Sequence, residues 1–225
     1  SSGSTNQEMC SIGNYTDSMG QVECILASQG YYVAGIGQDS QQACESGTYQ
    51  TLQGQSDCSY ASSGYYVPSN GSSQQIPCSE GSYQPTGGGT SCILAAPGSF
   101  VDSVGATEPS QCELGTYSSE EGQEDCTLAA PGSFVDSAGA TEPIPCPSGQ
   151  YQETDGSTSC VDSPPGYITS NDGSSAASPC QPGTYAEAGQ SSCIDADPGN
   201  FVTDSAQSSQ QLCDQGTYQP DAGQS

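Results

Sequence analysis

Lysine, arginine and histidine are missing from this 225-residue chain, which carries 26 Asp plus Glu. A soluble domain normally has about a quarter charged residues, with both signs present. Without cations the chain has nothing to hold a phosphate backbone or an anionic lipid surface, so nucleic acid and charged membranes are excluded as partners. Catalysis loses its commonest parts as well, since no Ser–His or Cys–His pair and no Schiff-base amine can be assembled. Trypsin-like proteases have no site to cut. Uniform negative charge reads most simply as a device that keeps a long polymer soluble and apart from its copies.

Other absences narrow the fold. Tryptophan is missing and apolar residues make up only 32% of the chain, too few for one sizeable core. No apolar run is long enough to cross a bilayer as a helix, and no signal-like stretch opens the chain. No segment keeps a helical period over three turns, because Gly or Pro interrupts each candidate. No CxxC pair occurs, which with the lack of His argues against zinc. Calcium has two weak candidates, Asp195-Ala-Asp197 and the run holding Glu120, Glu121, Glu124 and Asp125. Neither forms a calcium-loop motif, and a solvated acidic face is the preferred reading. The sequence therefore predicts no enzyme and no cofactor beyond weak Ca2+.

What the chain does have is cysteine at fixed intervals. Cys10, Cys44, Cys78, Cys112, Cys146 and Cys180 stand 34 residues apart, and Cys213 follows after 33. Cys24, Cys58, Cys92, Cys126, Cys160 and Cys193 form a second series, 14 residues after the first and 13 at the last step. Such a period marks a tandem array in which each unit contacts mainly its neighbours. The expected organisation is a tail of a preceding repeat at 1–9, repeats at 10–43, 44–77, 78–111, 112–145, 146–179 and 180–212, and the start of another at 213–225. On this reading the chain is a segment of a longer polypeptide. Thirteen cysteines in so polar a chain imply a disulfide framework and an extracellular or cell-surface setting.

Each unit has two arms. The first is C-x2-G-x-Y-x4-G-x3-C, as in Cys44, Gly47, Tyr49, Gly54, Cys58. The second is C-x5-G-x-[YF]-V-x10-C, as in Cys58, Gly64, Tyr66, Val67, Cys78. One unit departs from it, with Ile168 and Thr169 in place of the aromatic and Val. The sixth first arm is one residue short between Tyr185 and Gly189. Four in-phase glycines per unit mark forced turns or close contacts. Gly47 to Gln50 and Tyr65 to Pro68 read as short strands between turn signals. The predicted fold is all-β and irregular: small disulfide-rich repeats in an elongated array, with short hairpins and little or no helix. An extended rod is favoured over a coil that stacks like residues about 4.8 Å apart.

Two uniform disulfide pairings are open. One joins Cys10–Cys24, Cys44–Cys58, Cys78–Cys92, Cys112–Cys126, Cys146–Cys160 and Cys180–Cys193, and leaves Cys213 for a partner further along. The other joins Cys24 to Cys44 and onward to Cys193 with Cys213. The first encloses Gly-x-Tyr and the second Gly in one small loop and is the favoured choice, with the longer arm bridging to the next unit.

The units Cys146-Pro-Ser-Gly-Gln-Tyr…Gly156…Cys160 and Cys180-Gln-Pro-Gly-Thr-Tyr…Gly189-Gln-Ser-Ser-Cys193 resemble the ephrin-receptor-like cysteine-rich repeats, and more distantly the first arm of tumour-necrosis-factor-receptor modules. The resemblance covers the whole chain. It implies extracellular, loop-rich modules stapled by disulfides, supports the 14-residue pairing and names no catalytic residue. Family members commonly carry further cysteines where this chain has Ala95-Ala96-Pro97-Gly98 or Ser163-Pro164-Pro165-Gly166, so a receptor-type binding surface does not carry over.

The functional expectation is an extracellular structural protein, a stapled rod serving as stalk, spacer or filament segment. Its partners are then copies of itself or neighbouring repeats. Tyr31, Tyr60, Tyr65 and Tyr167 lie outside the in-phase aromatic slots and are candidates for such contacts. The alternative is a cell-surface module that binds a protein or glycan. Asn14-Tyr-Thr16 and Asn70-Gly-Ser72 are sequons for N-linked glycans, and Ser and Thr are plentiful enough for O-linked sugars.

Overall fold

A computed structural model describes residues 9–18 and 23–225; of the tail expected at 1–9, residues 1–8 lie outside the described residues. Among the described residues there are 24 strands of two residues each, every one paired with its sequence neighbour, and no helix. β1 (Asn14–Tyr15) runs antiparallel to β2 (Ile25–Leu26), with Tyr15 opposite Ile25. β3 (Tyr31–Tyr32) pairs in the same register with β4 (Gln42–Ala43). The next hairpins are Thr48–Tyr49 with Ser59–Tyr60 and Tyr65–Tyr66 with Ile76–Pro77.

Hairpins thus begin at residues 14, 31, 48 and 65, a step of 17. The arm expected to bridge between units is a hairpin of the same kind as the first. The 34-residue cysteine period therefore holds two structurally equivalent halves, one stapled by a disulfide and one not.

Turn chemistry starts each half. Before β3, the Tyr31 N–H bonds to the Ser28 carbonyl at 3.0 Å, with Gly30 at φ +81°. A glycine with positive φ at the third position is the mark of a type II turn. In several halves proline precedes that glycine, as at Pro97-Gly98 and Pro131-Gly132, where its fixed φ suits the second position. The residue after the turn pair is aromatic in one half after another: Tyr15, Tyr32, Tyr49, Tyr66, Tyr83. These rings are half-buried.

A lone two-stranded hairpin is marginal in water, so the stabilising contacts must lie between hairpins. The chain forms two compact units. The first comprises Ser1–Ala96, Phe100–Ser110 and Glu121–Asp125, and the second Pro97–Ser99, Gln111–Glu120 and Cys126–Ser225. Within the first, turn glycines donate forward: Gly30 to Gln50 O, Gly47 to Val67 O and Gly64 to Gln84 O, at 2.7–2.8 Å. Loop glycines donate backward, Gly54 to Ala27 O, Gly71 to Cys44 O and Gly88 to Ala61 O, each at 2.8 Å. The second unit repeats the scheme, with Gly132 to Gln152 O, Gly149 to Thr169 O and Gly156 to Ala129 O, each at 2.8 Å. Within each unit, successive hairpins are stitched together in both directions.

The hairpins also reach their second neighbours. A Cβ on Gly64 would overlap the carbonyl oxygen of Gly105, and one on Gly132 would overlap that of Gly173. Backbone therefore packs directly on backbone, which only glycine permits. The core is correspondingly thin. In the first unit it consists of Ala27, Cys44, Ala61, Cys78 and Ala95 with Val33, Val67 and Val101; in the second, of equivalents such as Ala129, Cys146, Cys180, Val135 and Val202.

Departures from the pattern are absorbed locally. Thr169 replaces the buried Val, and its hydroxyl donates to the Gln150 carbonyl at 3.1 Å. Ser163 takes a position otherwise held by Cys or Ala, is fully buried, and donates to Gln190 O at 3.2 Å. Ala206 occupies the loop position of Gly173 and Gly223, and it is the sole non-glycine with positive φ (61°) among the described residues. The half that is one residue short still pairs Tyr185 with Ile194 and Thr184 with Asp195.

Candidate functional site

Disulfides are the chemistry this framework positions best. Cys44 lies before the strand Thr48–Tyr49 and Cys58 immediately before its partner Ser59–Tyr60, so the bond closes a loop holding the first strand and the hairpin tip, with Cα atoms 5.8 Å apart. The bonds Cys10–Cys24, Cys78–Cys92, Cys112–Cys126, Cys146–Cys160 and Cys180–Cys193 each span 5.7 Å. This spacing is ordinary for a disulfide. In each bond the first cysteine is buried, while the second is exposed at Cys24 and half-buried in the other five. Cys213 is unpaired and half-buried.

In the halves without cysteine, the paired positions carry other residues. Ala61 stands where Cys44 does, and Gln75 where Cys58 does. Gln75 Oε1 accepts the Ser62 N–H at 2.7 Å; Gln41 Oε1 accepts from the Ser28 N–H, and Gln210 Oε1 from the Asp197 N–H, each at 2.6 Å. A side-chain hydrogen bond thus closes the loop that a disulfide closes next door. Pro109, Pro143 and Ala177 hold the same position without such a bond. These glutamines escaped the sequence reading because the cysteine period drew attention to 34-residue spacing. Adding 17 to each second-series cysteine from Cys24 onward finds them.

The two sequons differ in setting. Asn14 is half-buried in β1, and its Nδ2 donates to Ser11 Oγ at 3.0 Å and to Ile12 O at 3.4 Å. Asn70 is exposed at a loop tip, and its Oδ1 accepts the Ser46 N–H at 2.8 Å.

The acidic candidates are not drawn into a cluster. Glu120, Glu121, Glu124 and Asp125 are exposed. Asp197 takes a hydrogen bond from Gln210 Nε2 at 2.7 Å, while Asp195 lies against Gly223. Among the described residues, no group of three or more His, Cys, Asp or Glu is arranged to hold a metal ion. A cleft lined by Val33, Ala34, Gly35, Gln38, Ser40 and Gln42 encloses about 140 Å³. Ligand pockets run to about 300–1,000 Å³, so this one is too small for a substrate of ordinary size. No helix among the described residues is long and apolar enough to cross a membrane.

Tyrosines outside the aromatic slots make local contacts. Tyr31 lies over Gly71 and Tyr65 beside Gly105, each two hairpins further on. Tyr60 lies against Gly88 and remains 75% exposed; Tyr167 pairs opposite Pro179. Tyr60 belongs to a series. The last strand residue of alternate halves is exposed and apolar at Leu26, Tyr60, Leu94 and Leu128, whereas Asp162 and Asp195 take that place later in the chain.

No curated protein matches this chain. A family model described as tyrosine-protein kinase ephrin type A/B receptor-like matches residues 64–112 and 132–180. Each match runs from a turn glycine, through one complete disulfide, to the next buried cysteine. The chain is thus similar, through these two segments, to the ephrin-receptor-like cysteine-rich repeats.

Proposed function

We propose that the chain is an extracellular structural module whose repeated framework is itself the function, setting length and spacing in a stalk, spacer or filament segment. One observation carries this reading. The recurring residues (turn glycine, loop glycine, buried Ala, Cys or Val) are spent on hydrogen bonds and contacts between hairpins, leaving few in-phase side chains to recognise a ligand. Disulfides in an ephrin-receptor-like array suit an oxidising, extracellular setting. The reading assigns the chain no catalysis and no cofactor. Its partners are neighbouring repeats or further copies of itself.

The exposed series Leu26, Tyr60, Leu94 and Leu128 favours a second reading, a surface that binds a protein or glycan. One experiment separates the two. Deleting residues 78–111 removes two whole hairpins and keeps the phase. For a spacer, small-angle scattering of the shortened chain gives a fixed decrement in maximum dimension, and deleting 146–179 instead gives the same decrement. Unequal decrements, or dimensions that stay unchanged, would overturn the spacer reading.

A further inference from the structure

Asn70 sits in the turn Ser69–Ser72, which is attached through atoms other than the Asn70 amide nitrogen. The Gly71 N–H donates to Cys44 O at 2.8 Å, and the Ser72 carbonyl accepts the Gln50 N–H at 3.2 Å. The Ser72 hydroxyl closes the turn on Ser69 O at 2.7 Å. The Asn70 side chain adds one bond, accepted by its oxygen from Ser46. An N–H partner fixes the orientation of the amide, because only the oxygen can accept from it. Nδ2 is therefore on the other side of the group, on an exposed residue.

The same turn recurs six halves later with a carboxylate. Asp172 Oδ1 accepts the Ser148 N–H at 2.8 Å, and the Ser174 hydroxyl bonds to Asn171 O at 2.6 Å. An oxygen at this position is thus sufficient for the fold, and the amide nitrogen of Asn70 has no structural role. Asn14 is the opposite case, with Nδ2 committed to two acceptors in the preceding turn and its residue half-buried.

From this contrast we infer that Asn70 is an N-glycosylation site and that Asn14 is not. The donor is an oligosaccharide on a polyprenyl diphosphate, the lipid-linked class used in the secretory pathway. A bond forms between Asn70 Nδ2 and the anomeric carbon, the anomeric C–O bond to the diphosphate breaks, and the lipid diphosphate leaves as the amide gives up one proton. The remaining N–H stays free, and the Oδ1 bond to Ser46 persists. The sugar then projects from a rigid turn, beside the loop glycine that Tyr31 covers.

The test is secretion of the full chain from a mammalian cell line, followed by intact mass before and after peptide N-glycosidase in 18O water. The heavy label separates enzymatic release from deamidation of the Asn70-Gly71 pair. One glycan per chain is expected, with the 18O mark on residue 70. Asn70→Asp copies the Asp172 turn, so it should abolish the glycan while leaving the melting temperature unchanged. Asn14→Gln should leave the glycan mass in place. Sugar on Asn14, or a secreted chain with six disulfides and no N-linked sugar, overturns the inference. The disulfide count keeps this result separate from the extracellular reading, which survives if the bonds form without the sugar.

Discussion

The hairpin closed by Cys44–Cys58 and its neighbour from Ala61 to Pro77 share a strand register, a turn glycine with φ near +81°, and bonds to the hairpins around them. They differ in the closure. One has a covalent bond, the other the Gln75 side chain on the Ser62 N–H. The disulfide is therefore not what shapes the hairpin. Glycine turns and the backbone ladder give the shape, and the cross-link limits how far the unfolded chain can spread. Alternation also has a geometric logic, since each unstapled hairpin is hydrogen-bonded to a stapled one.

The largest effect should come from exchanging the two closures. Replacing Cys78 by Ala and Cys92 by Gln turns a stapled half into an unstapled one. It should keep the fold while losing about 3 kcal/mol, the chain-entropy value for a loop of this size. The reverse pair, Ala61→Cys with Gln75→Cys, should close a seventh bond and recover a similar amount. Denaturant melts give the energies and thiol titration the closure. Failure of the new bond to form would break the equivalence of the halves.

A smaller effect belongs to the loop glycines. Ala206→Gly should stabilise by about 1–2 kcal/mol by relieving a left-handed backbone, and Gly139→Ala should cost about as much. A Cβ at Gly139 meets only ordinary contacts, the nearest being Gln111 at 3.7 Å, so backbone conformation alone is being tested. Equal melting temperatures for the two variants would count against this. The smallest change is Gln75→Ala, which should cost about 0.5–1 kcal/mol, because the Ser62 N–H it leaves is solvent-accessible. A loss as large as that from the disulfide exchange would mean the glutamine is more than a weak closure.

Much of this architecture was legible in the sequence. Gly-x-Tyr after each first cysteine marked a turn and a strand, and the structure has Thr48–Tyr49 where Gly47 to Gln50 suggested one. The 17-residue half was equally visible in Tyr15, Tyr32, Tyr49 and Tyr66, yet cysteine, present only in alternate halves, imposed the longer period. What could not be read was long-range. Nothing local in Gly64 says that it packs on the carbonyl of a residue 41 positions away, and nothing in Asn70 says that its oxygen caps Ser46. Such partners depend on how hairpins stack, and that is set by many hairpins at once. The sequons show the same limit, since both satisfy the pattern and only their hydrogen bonds tell them apart.

The half that lacks one residue carries a lesson about how such chains change. Cys180 and Cys193 are 13 apart in sequence where other pairs are 14, yet their Cα atoms lie 5.7 Å apart, within the 5.7–5.8 Å of the rest. The next hairpin, Asn200–Phe201 with Gln211–Leu212, begins in full register. A slip in sequence length is cancelled within the tip where it occurs and is not passed down the chain. Genetic drift in loop length is thus decoupled from the mechanical phase of the array, and repeats can be gained, lost or trimmed without retuning their neighbours.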